Sequence, residues 1–248
     1  MQELDNKIAL VIGAGSIAEG IGNGKATAIT FAREGATVVC ADINESAAAE
    51  TVEMIRAEGF DATSVVVDVA DLDSVRRVVA GVLADHGRID VLDNNVGIAS
   101  LGGVVDVDPA EWDRAMKINL TGAFNTMRAV IPAMVDAGGG SIVNISSVAG
   151  IRWGGVGHAT YYASKAALNH LGRTPAVEFA ARKVRVNTGL PGLIKTPMVA
   201  SADGITEAYS SVDIEEVWRA RDRLVPMGHM GEAWDVATAA LFLANERA

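Results

Sequence analysis

The strongest constraint on the fold is the alternation of short apolar runs with longer amphipathic segments along the whole chain. Between the apolar runs, apolar residues recur every three or four positions, which is typical of amphipathic helices. The runs themselves are apolar at consecutive positions, which indicates strands buried on both faces, at residues 8–12, 37–41, 64–67, 89–92, 141–145 and 184–186. Alternating strands and helices predict an α/β fold, a single-domain, doubly wound parallel sheet over residues 1–248.

Three helices can be placed individually from their patterns. The first runs from about residue 72 to 83, with Gly87 as its stop, and the second from Pro109, which suits a first turn, to about residue 135. The third spans about residues 161–182. It contains Pro175, which lacks an amide hydrogen and should kink or interrupt it. The mixed segment at about 197–225 is predicted to form a substrate lid.

The composition excludes several classes of protein. Half of the residues are hydrophobic, yet no run approaches the ~18 apolar residues of a membrane span, and the acidic N-terminus lacks the features of a signal peptide. The single cysteine, Cys40, allows no internal disulfide and fits a reducing compartment. The net charge of −10 argues against nucleic-acid binding. We therefore expect a cytoplasmic protein with a small-molecule substrate and no membrane or nucleic-acid partner.

A glycine-rich loop, residues 13–24, follows the first predicted strand and precedes an amphipathic segment. Glycines let backbone amides approach a pyrophosphate at a helix N-terminus, although a loose glycine pattern is also found in flexible strand-to-helix turns. Asp42, at the end of the second strand, favours the nucleotide interpretation. A carboxylate there accepts both adenosine ribose hydroxyls and repels a 2′-phosphate, and no Lys or Arg follows it at residues 43–45. The pattern predicts a Rossmann-type site that prefers NAD to NADP.

Tyr161 and Lys165 are four residues apart, which places both side chains on one face of a helix. An ammonium beside a phenol favours the phenolate, so the tyrosine pKa of about 10 is expected to fall toward neutrality. Such a phenol can exchange a proton with a substrate oxygen. Because most pairs of this kind lie on solvated surfaces, the spacing alone is weak evidence for catalysis.

Taken in order, these residues resemble the short-chain dehydrogenase/reductase family over essentially the whole chain. Asn94-Asn95-Val96-Gly97 is similar to the family's Asn-Asn-Ala-Gly motif. Asn119, Ser147, Tyr161 and Lys165 follow in the family's order. The resemblance implies cofactor contacts from residues along the chain: Gly13, Ser16, Ile21, Asp42, Asp68, Val69, Asn95, Val96, Gly97, Tyr161, Lys165, Pro191, Gly192, Ile194 and Thr196.

The resemblance also implies four catalytic roles and no metal site. Tyr161 would be the general acid/base, and Lys165 would lower its pKa and bind the nicotinamide ribose. Ser147 would hydrogen-bond the substrate oxygen and stabilise its developing charge. Asn119 would anchor a water that links Lys165 to solvent.

Several of these positions have alternatives. Tyr162 also lies within helical reach of Lys165, and Ser146 competes with Ser147 because strand boundaries are uncertain. Asn119 could cap or bend its helix, and Asp68 could be a turn residue. Three further residues could either border the substrate pocket or serve packing alone: Trp153, His158 and Met198.

The chain departs from the family pattern in the cofactor loop and the fourth strand. Ile12 stands where the family usually has threonine, whose hydroxyl would tie the loop to the asparagine motif. The loop has about three extra residues, 17–19, and Glu19 would repel a pyrophosphate unless it points outward. Asp93 replaces an apolar residue, and Val96 replaces alanine.

Two departures lie further along the chain. The spacing from Ser147 to Tyr161 is one residue longer than expected. The family's last strand, with its Gly-Gln and Asp-Gly-Gly, has no counterpart before residue 248. Without that strand, a sheet edge would be exposed and one subunit interface weakened.

The sequence thus predicts an NAD-dependent oxidoreductase that interconverts a secondary alcohol and a ketone. An NADP-dependent carbonyl or 3-oxoacyl reductase and a catalytically silent NAD-binding protein are the alternatives. Members of the family usually pair through two long helices, here about residues 109–135 and 161–182, which predicts a homodimer or homotetramer. Substrate specificity is expected to depend on residues 151–160 and on the segment after Thr196.

Overall fold

In the computed structural model, which describes residues 2–201, 205–209 and 213–248, six parallel strands form the central sheet. They lie in the order β3-β2-β1-β4-β5-β6, which confirms the predicted doubly wound topology. A second, two-stranded parallel sheet pairs β7 with β8. The strands are β1 Ile8–Ile12, β2 Thr37–Asp42, β3 Ala62–Val66, β4 Val91–Asn94, β5 Gly140–Ile145, β6 Val184–Gly189, β7 Ile194–Lys195 and β8 Gly231–Glu232.

Helices connect the strands and follow their sequence signals closely. Asn44 and Asp71 cap α2 and α3 through their side chains, and Gly87 ends α3 in the left-handed conformation. The helices are α1 Asn23–Arg33, α2 Glu45–Ala57, α3 Leu72–His86, α4 Pro109–Met116, α5 Gly122–Asp136, α6 Ala159–Leu171, α7 Arg173–Glu178, α8 Pro197–Ala200, α9 Ile205–Ala208, α10 Ile214–Arg223 and α11 Ala233–Ala244.

The sheet separates two hydrophobic cores, because successive strand residues point to opposite faces. Ala9 and Val11 of β1 enter a core with α1, α2 and α11. Leu10 and Ile12 enter the other core with α3 and α5. Each such leucine or isoleucine contributes about 2 kcal/mol by burial. This packing explains why the strands read as continuous apolar runs.

Strand order reverses between β1 and β4, and this topology fixes where a ligand can bind. In open parallel sheets, ligands bind outside the carboxyl ends of the strands at such a reversal. The glycine loop follows β1, residues 95–97 follow β4, and Ser147 follows β5. The fold therefore brings distant parts of the sequence to one edge of the sheet.

The two long predicted helices differ in detail from their predicted form. The segment 109–136 contains a π-helical turn, Lys117–Thr121, between α4 and α5. The predicted helix 161–182 begins earlier, at Ala159, and is interrupted at Gly172, three residues before Pro175, as the proline predicts. Pro175 lies in the first turn of α7, where its missing amide hydrogen costs no helical hydrogen bond.

The observed strands also differ in detail from the predicted ones, and part of the predicted lid lies outside the described residues. β4 begins at Val91 instead of residue 89, and the edge strand β3 exposes Val66 to 47%. Within the described residues β6 forms the other edge of the main sheet, with no seventh strand beside it. Of the lid predicted at 197–225, residues 202–204 and 210–212 lie outside the described part. No helix in the described ranges is both long enough and apolar enough to span a bilayer.

Candidate active site

The loop after β1 forms a narrow turn against the N-terminus of α1. Gly13 has φ +79°, and a Cβ at Gly24 would lie 1.9 Å from the Gly13 carbonyl oxygen, so only glycine fits there. No side chain caps α1, and the buried Ser16 Oγ and Asn23 Oδ1 have no hydrogen-bond partner among the described residues. Close backbone approach, free helix amides and unpartnered polar atoms fit the pyrophosphate of a dinucleotide.

The extra loop residues do not obstruct this cradle. Glu19 is exposed to solvent, which fits the outward orientation that would avoid repulsion of a pyrophosphate. Ile21 is partly buried against the alanines of α1 and α11. Ile12 fills a hydrophobic core, and its carbonyl accepts a hydrogen bond from the Asn95 backbone at 2.9 Å. Backbone atoms therefore make the tie that a threonine hydroxyl was expected to provide.

Asp42 lies at the carboxyl end of β2, beside the same loop. Its carboxylate oxygens accept hydrogen bonds from the Gly15 amide at 2.9 Å and the Asn44 amide at 3.0 Å. A Cβ at Gly15 would lie 2.9 Å from Asp42 Oδ2, so the glycine permits this contact. The two hydrogen bonds fix the carboxylate at the edge of the loop, where it can accept ribose hydroxyls.

Asp68 and Val69 follow β3. Asp68 Oδ1 accepts from the Ala70 amide at 2.8 Å, which is the turn role considered for this residue. Val69 is buried, and its carbonyl accepts from Asn125 Nδ2 at 2.9 Å. Their contact with adenine stays a prediction.

The asparagine motif packs directly beneath the glycine loop. A Cβ at Gly13 would lie 3.0 Å from the Val96 amide nitrogen, so the two backbones are in close contact. Asp93, just before the motif, is completely buried and accepts a hydrogen bond from the Asn95 side chain. Burial raises the pKa of Asp93 to about 8 and the Asn95 bond opposes this rise.

The structure distinguishes Ser147 from Ser146. Ser147 begins the 3₁₀ turn Val148–Gly150, accepts from the Ala149 amide at 3.1 Å and lines the same cavity as Tyr161. Ser146 is buried, and its hydroxyl donates to the Lys165 carbonyl at 3.1 Å. Ser147 is thus placed for chemistry, whereas Ser146 anchors α6.

The side chains of Lys165 and Asn119 both approach Gly97. Lys165 Nζ donates to the Ile145 carbonyl at 2.9 Å and lies 5.6 Å from the centroid of the Tyr161 ring. A Cβ at Gly97 would lie 3.1 Å from Lys165 Nζ and 3.8 Å from Asn119 Oδ1. Glycine at this position therefore keeps open the space between the ammonium and the amide.

The side chain of Asn119 holds a loop to a helix. It exchanges two hydrogen bonds with the Ile98 backbone, at 2.8 and 2.9 Å, and donates to Ser164 Oγ at 3.0 Å. It lies within the π-helical turn, a distortion that often occurs at functional sites. Capping and bending alone do not account for these bonds, and the water relay stays a prediction.

The pKa directions correct the expectation for Tyr161. Burial raises its pKa, while the Ser147 hydroxyl and the charge of Arg221 act to lower it. The expected fall toward neutrality is wrong for this structure, because removal of water around the phenol outweighs the neighbouring groups. Burial also lowers the pKa of Lys165 to about 8.

Tyr162 has a structural role instead of a catalytic one. Its hydroxyl donates to the Val156 carbonyl at 2.8 Å and accepts from the Gly154 amide at 2.9 Å. Its ring lies 5.3 Å from the ring of Trp153. Tyr162 therefore orders the loop at the cavity rim and leaves Tyr161 to face the cavity.

A cavity of about 470 Å³ joins the cofactor loop to the catalytic side chains. Trp153, His158 and Met198 line it, which confirms that they border the pocket. So do several of the residues predicted for catalysis or cofactor binding: Asn95, Gly97, Ser147, Tyr161, Lys165, Pro191, Gly192, Ile194 and Thr196. Gly13, Ser16, Ile21, Asp42, Asp68, Val69, Val96 and Asn119 lie outside its lining.

Sequence reasoning missed four lining residues of the predicted lid segment: Val199, Tyr209, Arg221 and Leu224. On α10 the buried residues are Val217, Trp218 and Arg221, and Arg221 follows the apolar pair by one helical turn. This spacing from an apolar pair could have identified Arg221 as inward-facing. No comparable signal was available for Tyr209.

Comparison with known proteins agrees with this geometry. The short chain dehydrogenase family profile matches residues 7–204. A 3-oxoacyl-(acyl-carrier-protein) reductase of Thermotoga maritima is 38% identical over 245 residues, covering 98% of this chain and 92% of the relative. A 2,5-dichloro-2,5-cyclohexadiene-1,4-diol dehydrogenase of Sphingobium indicum is 37% identical over 245 residues, covering 99% and 91%.

The solved structures extend the likeness to three dimensions. A Burkholderia xenovorans protein assigned provisionally to the short-chain dehydrogenase/reductases superposes with a TM-score of 0.91. The two chains are 44% identical, and the superposition covers 99% of this chain and 92% of the other. Sequence, fold and site geometry agree: the chain is an oxidoreductase of the short-chain dehydrogenase/reductase family, which uses a nicotinamide cofactor.

Proposed function

We propose that the protein interconverts a secondary alcohol and a ketone by hydride transfer with NAD(H), with Tyr161 as general acid/base. The observation that supports this most strongly is that Tyr161 and Ser147 line one cavity wall, with Lys165 Nζ 5.6 Å from the centroid of the Tyr161 ring. A hydroxyl pair at a cavity wall can hold one substrate oxygen from two sides.

The proposed chemistry is a proton transfer coupled to movement of a hydride. A nicotinamide bound in this cavity would supply the hydride in ketone reduction and would accept it in alcohol oxidation. In ketone reduction the Tyr161 hydroxyl gives its proton to the carbonyl oxygen, and in alcohol oxidation the phenolate takes it back. Ser147 donates a hydrogen bond to the same oxygen as charge develops there. The raised pKa of Tyr161 keeps the phenol protonated at neutral pH, in the form that reduces a ketone.

Lys165 and Asn119 complete this proposal. The ammonium of Lys165 lies behind Tyr161, where it can bind the nicotinamide ribose and return protons to the phenol. Asn119 positions the Ile98 loop beside it, and a water held near Gly97 would connect the ammonium to solvent. General acid/base assistance of this kind is worth about 10²–10⁴-fold in rate.

The preference for NAD is proposed from Asp42. Its two hydrogen bonds hold the carboxylate beside the loop, where it would repel a 2′-phosphate. The relative from Thermotoga maritima is a 3-oxoacyl-(acyl-carrier-protein) reductase, and it supports a second candidate for the substrate class. In that candidate the cofactor would be NADP. Kinetics with NADH and NADPH on one ketone panel separate these candidates, and a preference for NADPH would overturn the NAD assignment.

The variant Tyr161→Phe tests the proposed catalytic role. Loss of the hydroxyl should lower kcat by about 10³-fold or more, because proton transfer loses its donor, while NADH affinity stays unchanged. Turnover is followed by NADH absorbance and cofactor binding by NADH fluorescence. Tyr162→Phe is the matched control, since that phenol bonds only to the rim loop. Equal turnover by Tyr161→Phe and wild type would refute the mechanism.

We further propose a cytoplasmic homodimer or homotetramer, with residues 197–225 as its substrate lid. The single cysteine is buried, and burial raises its pKa to about 12, so it is an unreactive packing residue. Phe124 and Val177, on the two long helical segments, are 44% and 80% exposed and would be covered by such pairing. A monomeric mass in light scattering would refute the assembly.

A further inference from the structure

Arg221 of α10 lines the cavity but has no part in the reaction proposed above. It lies on the buried face of the helix with Val217 and Trp218, and it is 9% exposed. Its Nη1 donates to the Tyr209 hydroxyl at 3.0 Å, and its Nε donates to the Met230 sulfur at 3.4 Å. The lid segment thus brings a fixed guanidinium into the cavity wall.

The partners of this guanidinium carry no charge. Tyr209 and Met230 are neutral, and the Tyr209 ring centroid lies 5.9 Å from the guanidinium carbon. Among the side chains that the structure describes, no carboxylate forms an ion pair with Arg221. Burial of a cation without a counter-charge carries an energetic cost. A ligand that brings a negative charge would remove this cost.

The other charged side chains that line the cavity are positive, like Arg221. Arg152, Lys165, Arg221 and the weakly basic His158 line it, and no Asp or Glu does so within the described ranges. The whole chain carries a net charge of −10, so this lining is opposite to the overall balance. A concave site of one sign concentrates ligands of the other sign.

These cations can be separated by position. Lys165 is assigned to the cofactor ribose, and Arg152 is exposed at the rim. Arg221 shares the cavity wall with Tyr161 and His158, and its charge lowers the pKa of both groups. Arg221 is therefore close to the place where a substrate would meet Tyr161.

We propose that Arg221 binds a carboxylate of the substrate, so that the alcohol oxidised at Tyr161 is a compact hydroxy acid and the ketone is the corresponding oxo acid. This assignment rests on the proposed function. A planar guanidinium matches a carboxylate with two parallel hydrogen bonds, and its unit charge balances one carboxylate. The cavity of about 470 Å³ must also admit the nicotinamide, which limits the substrate to a small molecule.

The test compares acids with amides of the same shape. Lactate, 3-hydroxybutyrate and mandelate are each measured against the corresponding amide, with NAD as oxidant and NADH absorbance as readout. Wild type should prefer at least one acid by about 100-fold in kcat/KM, the size expected for a desolvated charge pair. Arg221→Met should lose this preference, and Arg221→Lys, which keeps the charge but not the planar fork, should retain part of it.

A binding measurement decides the proposal independently of turnover. Benzoate and benzamide are titrated into the enzyme–NADH complex by calorimetry. Benzoate should bind about 100-fold more tightly to wild type, and this difference should disappear in Arg221→Met. Arg223→Met, at an exposed position of the same helix, is the control and should match wild type. Thermal melts verify that each variant is folded.

The outcomes separate this inference from the proposed function. Equal binding of benzoate and benzamide by wild type, or a preference unchanged in Arg221→Met, would overturn the role of Arg221. Oxidation of uncharged alcohols that depends on Tyr161 would then leave the proposed function intact. Conversely, selective benzoate binding together with full turnover by Tyr161→Phe would refute the mechanism and leave the anion site standing.

Discussion

Asp93 should make the stability of this protein fall as the pH rises. The residue lies at the end of β4, completely buried, with Oδ2 unpartnered among the described residues, and burial raises its pKa from 3.8 to about 8. In the unfolded chain the carboxyl ionises near its ordinary pKa, whereas the folded protein holds it neutral. The stabilising contribution is therefore complete below about pH 4 and is lost as the pH approaches 8.

The size of this effect follows from the proton that unfolding releases. Between the two pKa values, the free energy of unfolding falls by about 1.4 kcal/mol for each pH unit, or about 2.7 kcal/mol from pH 5 to pH 7. Asp93→Asn preserves the shape and cannot ionise, so this dependence should disappear. Relative to wild type, the variant should gain about 2.7 kcal/mol over the same interval.

Equilibrium urea unfolding, followed by tryptophan fluorescence at one protein concentration, measures this difference. A fixed concentration is needed because assembly adds to apparent stability. Asp61→Asn, at an exposed position, is the control and should follow the wild-type dependence. If wild type and Asp93→Asn lose stability in parallel between pH 5 and pH 7, Asp93 is ionised in the folded protein and the reasoning is wrong.

Three further predictions concern the cofactor loop and the active site. Gly24→Ala should weaken NADH binding at least about 10-fold, since its Cβ cannot fit beside the loop carbonyl, while Gly81→Ala, in open space, should not; NADH fluorescence titration measures both. Ser147→Ala should lower kcat by about 10²–10³-fold at unchanged NADH affinity, whereas Ser146→Ala should mainly lower the free energy of unfolding by about 1 kcal/mol. Asp42→Ala should shift the NADPH/NADH ratio of kcat/KM toward NADPH by at least about 10-fold, because the repulsion of a 2′-phosphate is removed; an unchanged ratio would contradict the role of Asp42.

Local pattern was sufficient to predict the sheet and its order of elements. The continuous apolar run of β1 supplies side chains to two cores at once, and this requirement is visible in the sequence. The glycine spacing predicted the narrow loop after β1 for a similar reason. No residue other than glycine fits at position 24, because its Cβ would lie 1.9 Å from the Gly13 carbonyl oxygen. Buried strands and tight glycine turns are thus predictable from sequence, because their backbone geometry restricts which residue types can occur there.

Features that depend on tertiary surroundings were not predictable in this way. The spacing of Tyr161 and Lys165 indicated a lowered tyrosine pKa, but desolvation, which no local pattern reports, reversed the direction. Tyr162 and Ser146 were distinguished from their neighbours only by hydrogen bonds to distant backbone atoms. Arg221 escaped notice because its importance depends on which charges are missing around it, a property of the assembled cavity.

The short β7–β8 ladder holds together the two ends of the chain segment that contains the proposed lid. Ile194 and Lys195 pair with Gly231 and Glu232, so the two ends of the intervening 35 residues are held side by side. The strand β8 leads directly into α11, which packs on α1 of the cofactor side. Residues of a segment attached in this way can be exchanged, or the segment lengthened, while the paired strands keep its two ends in register. We therefore expect a change of substrate range to come from substitutions inside this segment, with the β7–β8 ladder left intact.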